Sequence, residues 1–577
     1  MRVLGISTAH DSSVAIYCDG KIEFFFKEER LTGTKRDKQP FAALFQAANF
    51  LNGKKVDAVA VSSPILSDEY LTAIKDLSSK IFRTKNIYDL SATHHLCHAS
   101  LVFYNSGFNE SLVFILDRNG SLHQESHGLA LESETVFWAK YPNTFEEIKK
   151  NYWSTNIGPN SDSYLREFLN KQTTNKKTVD ITCESSYGIT KVYETATTLI
   201  GQHILENGKT MGLAAYGNKN ENFINLFSET GVPNDSLFTH VISHHDGSSA
   251  AIFKKYINNI TTSVDKDNYQ LYADYAYQVQ AQTQDQVSKM IHECIEKTQV
   301  KNVCISGGYG LNVVANGYYI SKFPNVNFFF EPLADDTGNS IGAAMLIYRQ
   351  ITSDNKKYPI KSTFFNGYEP EINPNFLNKD IINKVNYKKT KINKISDLLL
   401  DNKSVAIFDG KSEAGPRALG HRSILFYPNL LNSKDIVNKI KKREWYRPFA
   451  ACVLKEEAKT YFDMMNITDS PYMTISFSCL EKTKSLFPGI VHVDGSCRVQ
   501  TVDEENVYLY NLLKELKKSS GHGLLLNTSF NLAGSPLVET LDQALWVMLE
   551  SELDYVWVPK NNILYFDKNI KDQYTYR

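Results

Sequence analysis

His94 and His98 stand four residues apart in Thr93-His94-His95-Leu96-Cys97-His98-Ala99, so a helix over this stretch puts both imidazoles on one face. Two imidazoles so placed can chelate a divalent cation, although helical histidines at this spacing are commonly packing or surface groups. Asp117, at the end of the run Ser111-Leu112-Val113-Phe114-Ile115-Leu116, and Asp336, in Ala334-Asp335-Asp336-Thr337-Gly338, are carboxylates that could complete the set. Two histidines with two carboxylates suit iron(II), manganese or zinc better than calcium. His95 points about 100° away around such a helix and is expected to lie outside the set. His10 follows the first apolar run, in Ser7-Thr8-Ala9-His10-Asp11-Ser12-Ser13. There it could take a proton from a hydroxyl near neutral pH, or serve as a turn residue bonded to backbone.

A different chemistry gathers toward the other end of the chain. Arg417 lies in Gly415-Pro416-Arg417-Ala418-Leu419-Gly420, Lys441, Arg443 and Arg447 in Lys441-Lys442-Arg443-Glu444-Trp445-Tyr446-Arg447-Pro448-Phe449, and Arg498 in Asp494-Gly495-Ser496-Cys497-Arg498. Arginines beside Gly and Pro turns make good phosphate forks. Asn527-Thr528-Ser529-Phe530-Asn531 adds amide and hydroxyl groups of the kind that hold a triphosphate. Two glycine loops, Ser306–Asn312 with Gly307, Gly308 and Asn312, and Lys209–Gly217 with Gly212, lack the P-loop lysine pattern. Tight turns explain most such glycines.

The elements that must position these groups read as α/β. Residues 2–7, 13–18 and 21–26 are short β-rich runs, with Cys18-Asp19-Gly20-Lys21 as a hairpin turn, followed by a helix over 41–51 and a strand from Val56. Ser111-Leu112-Val113-Phe114 and the two strands expected from His127 onward echo this unit, so a duplicated α/β core is predicted. Strand–loop–helix units begin at Asn302 and Asn327, each with a glycine turn at a helix N-terminus, a natural seat for phosphate. Residues 352–362 are polar and lack apolar periodicity, which predicts a linker between a domain over 1–351 and a second α/β domain over 363–577. Helical patterns there lie near 430–442, 508–518 and 540–549. All the arginine motifs and Asn527–Asn531 fall beyond the linker, so this second domain alone is expected to carry their chemistry.

Composition narrows the classes. At 577 residues the chain is too long for one small binding module. Lys plus Arg at 63 against Asp plus Glu at 64 leaves no global basic field, so any nucleic-acid contact must be local. The eight cysteines form no C-x-x-C pair, which argues against zinc ribbons and a disulfide scaffold. No run of about 18 apolar residues and no secretory leader is apparent, so a cytoplasmic protein without a membrane partner is expected.

Taken together, Gly5-Ile6-Ser7-Thr8-Ala9-His10-Asp11, Glu28-Glu29-Arg30-Leu31-Thr32, the His94–Ala99 motif, Lys209–Gly217, Ser306–Asn312, Asp335–Ala344, Gly415–Ser423, Lys441–Ala450, Gly495–Val502 and Asn527–Asn531 resemble, in order, the NodU-type O-carbamoyltransferases, relatives of the tobramycin-carbamoylating enzyme. The resemblance spans nearly the whole chain. It implies an N-terminal domain of actin and sugar-kinase fold, similar to the threonylcarbamoyl transferases, and a C-terminal domain similar to threonylcarbamoyl-adenylate synthases. It implies that carbamoyl phosphate and Mg-ATP react at the C-terminal site to give carbamoyl adenylate, whose carbamoyl group passes to an acceptor hydroxyl at the N-terminal site. Residue by residue, it implies His94, His98, Asp117 and Asp336 as ligands of Fe(II) or another divalent metal, with Asp336 preferred over Asp335. His10 would be the general base. Lys35 and the loop with Gly307, Gly308 and Asn312 would lie near the adenylate, as would Gly212. Arg417, Lys441, Arg447 and Ser529 would hold carbamoyl phosphate, and Arg498 and Asn527 the ATP phosphates. Arg443 would be a neighbour of this set.

Two departures from the family pattern stand out. Asp117-Arg118-Asn119-Gly120-Ser121 replaces an Asp-Gly-x-Gly-Glu type turn, and a segment about 138–182 reads as an insertion. Tyr141, Phe145, Tyr152, Trp153, Tyr164 and Phe168 interleave there with Lys149, Lys150, Arg166, Lys171, Lys176 and Lys177, a mixture suited to stacking bases and meeting phosphates. The competing reading is an amphipathic helical insert whose aromatics are core. The acceptor thus stands open between a natural-product or sugar hydroxyl and 5-hydroxymethylcytosine in DNA, and the oligomeric state, a dimer included, is not fixed. A threonylcarbamoyl-type tRNA-modifying fusion and a non-catalytic actin-like nucleotide-binding regulator are the alternative readings.

Overall fold

The computed structural model describes residues 1–8, 10–64, 68–125, 128–154, 180–184, 188–221, 223, 225–233 and 269–569. The chain forms two compact units. Met1–Glu23, Lys38–Pro40 and Leu44–Lys361 make the first; Phe24–Asp37, Phe41–Ala43 and Ser362–Arg577 make the second.

The first unit repeats one strand order. β1 (Arg2–Ser7), β2 (Ser13–Cys18), β3 (Lys21–Lys27), β4 (Ala58–Ser62) and β5 (Ile87–Asp89) lie in the order β3-β2-β1-β4-β5. β1 runs antiparallel to β2 and parallel to β4, and β4 parallel to β5. The second sheet contains β6 (Glu110–Leu116), β7 (Leu122–Glu125), β8 (Gly128–Lys140), β9 (Thr144–Ser154), β10 (Asp180–Glu184), β11 (Asn302–Ser306) and β12 (Asn327–Phe330). Its core order, β9-β8-β6-β11-β12, is the first sheet's order again, with β6 antiparallel to β8 and parallel to β11, and β11 parallel to β12. β7 and β10 are additions to it. β4 is buried along its whole length and β6 from Ser111 onward, which is why they read as unbroken apolar runs rather than alternating ones.

Two helices sit where these sheets need them. α1 (Phe41–Leu51) follows the first hairpin, and α2 (His94–Ser106) follows β5 and ends at Gly107 in the left-handed conformation. α3 (Asn207–Ala214), α4 (Tyr269–Thr298), α5 (Val313–Lys322) and α6 (Asn339–Thr352) complete the frame used below. A side chain at Gly342 of α6 would meet the Cys97 carbonyl at 2.1 Å, so only glycine lets α6 lie against α2 there.

Several expectations change. The two strands expected from His127 are one 13-residue strand, β8, because β6, β7 and β9 all pair along it, with register irregularities at Glu132/Thr135 and Val136/Phe137 absorbing the mismatch. Residues 138–154 belong to the repeated sheet as the end of β8 and as β9; residues 155–179, with Tyr164, Phe168 and the lysines among them, lie outside the described residues. Of the aromatics expected to stack bases, Tyr141 and Phe145 instead pack on Phe103 and Tyr104, and Tyr152 is 3% exposed. Lys149 pairs with Glu293, and Lys150 with Glu132 and Glu147. Gly212 is not in a loop but inside α3, where it is buried. The stretch after α6 has no regular structure, yet Arg349 fastens it by bonding the carbonyls of Asp354 and Lys356 beneath the rings of Tyr104, Tyr141 and Tyr358.

The second unit is built on a ten-stranded mixed sheet. Its centre contains β13 (Val405–Phe408), β14 (Arg422–Phe426), β15 (Ala450–Leu454), β16 (Ser496–Val502) and β17 (Leu524–Ser529), in the order β13-β14-β17-β15-β16. The register puts Arg498, Ala450 and Asn527 in one row across neighbouring strands. α7 (Ser433–Lys441), α8 (Val507–Ser520) and α9 (Leu541–Leu549) occupy the predicted helical stretches, α9 starting at a Thr540–Gln543 capping box. Among the described residues, no helix is long and apolar enough to cross a membrane.

Candidate active sites

In the first unit, the repeated topology brings four predicted residues together. His94 opens α2 and His98 follows one turn on, with ring centroids 4.9 Å apart. Asp117 leaves the end of β6, and Asp336 begins the turn into α6. His94 Nε2 lies 3.5 Å from Asp117 Oδ2 and 3.3 Å from Asp336 Oδ1, and His98 Nε2 lies 3.3 Å from the same Asp336 oxygen. All four are buried, and one ligand atom from each falls within 4.8 Å of the others. Two imidazoles and two carboxylates converging on one point out of water fit a divalent metal, and these residues could hold one.

Neighbouring groups fix the ligands. Asp117 Oδ1 accepts from Arg118 N at 2.9 Å and from Gly308 N at 3.4 Å. Gly308 comes this close because Gly307, at φ 87°, lets its loop cross the Leu116 backbone, where any side chain would meet the carbonyl at 2.5 Å. Asn339 Nδ2 lies 3.3 Å from the His94 ring nitrogens, and Ser306 Oγ 3.5 Å from His98 Nδ1. Asn312 caps α5 by accepting from Ala315 N, and its amide pairs with Gln280. His95 stands apart from the four, its Nδ1 2.7 Å from Thr135 Oγ1. Burial lowers the pKa of His95 to about 4.

His10 joins this group. Its Nδ1 lies 3.2 Å from Asp11 Oδ2 and 3.7 Å from Asp336 Oδ2. Ser7 Oγ donates to the Asp336 carbonyl and Ser13 Oγ to the Thr337 carbonyl, so the two ends of the first hairpin turn are tied to the ligand loop. Burial works against the imidazolium of His10, but Asp336 and Asp11 outweigh it and raise its pKa. The same competition raises His94 to about 10 and holds Asp336 well below the usual carboxylate range.

The second unit gathers cations. Lys441, at the end of α7, is 3% exposed; its Nζ donates to Ser529 Oγ at 3.0 Å and to the Asn531 carbonyl at 2.6 Å. Burial, then Arg443, Arg447 and Lys35, push its pKa well below the lysine range. Arg443 donates to Asn438 Oδ1 and the Pro448 carbonyl and lies over the Phe449 ring, so much of its hydrogen bonding is structural. Burial lowers Arg498 to about 10, and Arg447 adds to the effect. Like charges gathered this way suit an anion.

The Arg417 loop is held by Glu413, Gln500 and Asn506, which sequence reading missed, and by Asn527, which it placed with the ATP phosphates. Glu413 Oε1 accepts from the backbone amides of Leu419, His421 and Arg422 at 2.7, 3.0 and 3.2 Å. Gln500 and Asn506 donate to the Leu419 carbonyl, and Asn527 to the Ala418 carbonyl and to Gln500. Asn527 is fully buried in this network. Glu413 carries no motif signal, because its partners are backbone groups brought near by the fold.

Profiles of known families match both units: "Carbamoyltransferase N-terminus" over residues 48–345 and "Carbamoyltransferase C-terminus" over residues 396–564. The chain belongs to the NodU-type carbamoyltransferase family. It is similar to nodulation protein U of Sinorhizobium fredii, 25% identical over 571 residues that cover 92% of this chain and 94% of that one. It is likewise similar to the uncharacterized protein MJ1051 of Methanocaldococcus jannaschii, 27% identical over 96% of this chain and 97% of that one. The solved structure of full-length HypF in its phosphate- and nucleotide-bound form shares 13% identity at a TM-score of 0.38, over 62% of this chain and 56% of that one, an overlap too slight to inform the site. The protein is therefore a carbamoyl-transferring enzyme with an α/β fold in two parts.

Proposed function

We propose that this carbamoyltransferase works in two half-reactions, one in each unit. In the second unit, water and carbamoyl phosphate yield phosphate and carbamate, and the carbamate oxygen attacks the α-phosphorus of Mg-ATP, expelling pyrophosphate and leaving carbamoyl adenylate. Lys441, Arg447, Arg498 and Arg417 neutralise the phosphate oxygens, and Ser529 orients Lys441. In the first unit, the acceptor hydroxyl attacks the carbamoyl carbon and AMP leaves.

His10 takes the hydroxyl proton at Nε2, since Nδ1–H faces Asp11 and leaves the other nitrogen with its lone pair. A divalent metal, iron(II) as the resemblance implies, would be held by His94, His98, Asp117 and Asp336 and would supply charge stabilisation to the adenylate. The loop of Gly307 and Gly308 meets Asp117 through Gly308 N, while Asn312 caps the helix that follows. The observation that carries this reading is the pairing, in one chain, of a buried His/Asp ligand set with a separate crowd of cations. The first suits a metal and a proton transfer, the second a polyanion.

The acceptor is a hydroxyl compound, and the packing of Tyr141, Phe145 and Tyr152 in the core removes part of the case for a DNA base. Cys18, Cys97, Cys304, Cys452, Cys479 and Cys497 are thiols outside any disulfide, which accords with a cytoplasmic enzyme. The test is pyrophosphate release that requires carbamoyl phosphate, followed by mass detection of a gain of about 43 Da across sugar, natural-product and 5-hydroxymethylcytosine acceptors. Pyrophosphate release independent of carbamoyl phosphate would overturn the reading.

A further inference from the structure

We propose that Glu132 and Glu134 of β8 are positioning residues for the first unit's ligand set, holding the backbones of His94 and Asp117 at the separation a divalent metal requires. The proposal rests on the reading of that set just given. Beside its register irregularity, β8 buries four polar residues in a row, Glu132-Ser133-Glu134-Thr135. Buried carboxylates are costly unless their oxygens meet donors or a cation. Each of these two finds one partner on β9, since Lys150 pairs with Glu132 and Asn151 Nδ2 donates to Glu134 Oε2 at 3.1 Å. From there each reaches a segment that carries or touches a ligand.

The Glu132 arm leads to His94. Glu132 Oε2 accepts from Ser121 N at 2.9 Å, and the two backbones pair as well, Gly120 N on the Glu132 carbonyl at 2.7 Å and Glu132 N on the Ser121 carbonyl at 3.2 Å. A side chain at Gly120 would meet Glu132 Oε2 at 2.6 Å and His95 Nε2 at 2.4 Å, so only glycine lets the turn seat there. Ser121 Oγ in turn accepts from His94 N at 3.0 Å, filling one of the amides that a helix start leaves open. The Glu134 arm leads to Asp117. Its Oε1 accepts at 3.0 Å from N of Thr190, in the first turn of the helix Ile189–Leu199, and Thr190 Oγ1 donates to the Asp117 carbonyl. Thr135 adds a third contact, its Oγ1 2.7 Å from Nδ1 of His95, next to His94. One strand thus fixes both ends of the turn that runs from Asp117 to Ser121, and through Ser121 the start of α2.

The test titrates the full-length protein, stripped with a chelator, with Co(II), reading both affinity and the visible d–d bands, with thermal melts to confirm folding. Thr190→Ala and Ser121→Ala are each expected to weaken Co(II) binding about 10- to 100-fold, the scale for groups that orient ligands, and to shift the bands. A merely structural role would lower the melting temperature and leave affinity and bands alone. Thr190→Ser keeps the hydroxyl and should restore both. Glu132→Gln is made together with Lys150→Met, so that no buried ammonium is stranded, and should weaken Co(II) binding in the same way. Lys149→Ala, which removes only the pair with Glu293, should match wild type. Wild-type affinity and bands in Thr190→Ala and Ser121→Ala, beside a wild type that binds one Co(II), would overturn this proposal alone. A wild type that binds Co(II) no better than His94→Ala would overturn the metal reading and this proposal with it.

Discussion

His94 in the first unit and Lys441 in the second are both buried, and burial disfavours the charged form of each. Their outcomes are opposite. His94 faces Asp336 and Asp117, which raise its pKa to about 10, whereas the charges of Arg443, Arg447 and Lys35 drive that of Lys441 further down. The lesson is that burial alone does not define a site; the sign of the neighbouring charge does. Carboxylates around imidazoles suit a cation, and cations around a lysine suit an anion.

The sharpest way to break this contrast is at His10. His10→Ala should lower acceptor carbamoylation by about 10² to 10⁴ while leaving pyrophosphate release intact, since the loss is that of a general base. Equal loss of both half-reactions would contradict a base confined to transfer. Lys441→Ala should do the reverse, lowering pyrophosphate release by about 10² to 10³, the scale of a lost charged donor at a developing anion. Retained pyrophosphate release with lost transfer would place Lys441 in the wrong half of the scheme.

Between these effects lies a test of the ligand loop's support. Glu331 is fully buried beside the Asp336 loop and accepts from Asn105 Nδ2 and Leu333 N. Burial raises its pKa from 4.5 to about 7. The folded state therefore binds the proton more tightly than the unfolded one, so this group's stabilisation is full below about pH 4.5 and is lost as pH rises through about 7. The loss is about 3 kcal/mol at most. Glu331→Gln should flatten the decline in unfolding free energy between pH 5 and 7; an unchanged slope would remove Glu331 from the account. The smallest expected effect is Glu413→Gln, which keeps an oxygen for the three amides and should raise KM for carbamoyl phosphate less than about tenfold, while Glu413→Ala raises it more. Equal KM in the two variants would show that the carboxylate does not shape the Arg417 loop.

How much the sequence disclosed follows the same division. The His94 and His98 pairing was legible because a helix repeats every 3.6 residues, and Asp117 because it ends an apolar strand run, whereas Asp336 was separated from Asp335 only by the family resemblance. β1, β2 and the start of β3 were readable from β-rich runs cut by turn residues. Gly212 was not, since a glycine inside a helix looks like one in a loop. Tyr141 and Phe145 gave an aromatic stripe whose partners, Phe103 and Tyr104, lie far off in sequence. The placement of Phe24–Asp37 and the support from Glu413, Gln500 and Asn506 depend on long-range contacts and backbone acceptors, which no local pattern records.

The division between the two centres is tested most directly by His94→Ala, with metal content, carbamoyl phosphate-dependent pyrophosphate release and acceptor carbamoylation measured on one folded preparation. The account predicts an empty metal site, lost carbamoylation and pyrophosphate release within about twofold of wild type, a change too small to signal a lost contact. Full metal occupancy, or loss of pyrophosphate release with the fold intact, would contradict it.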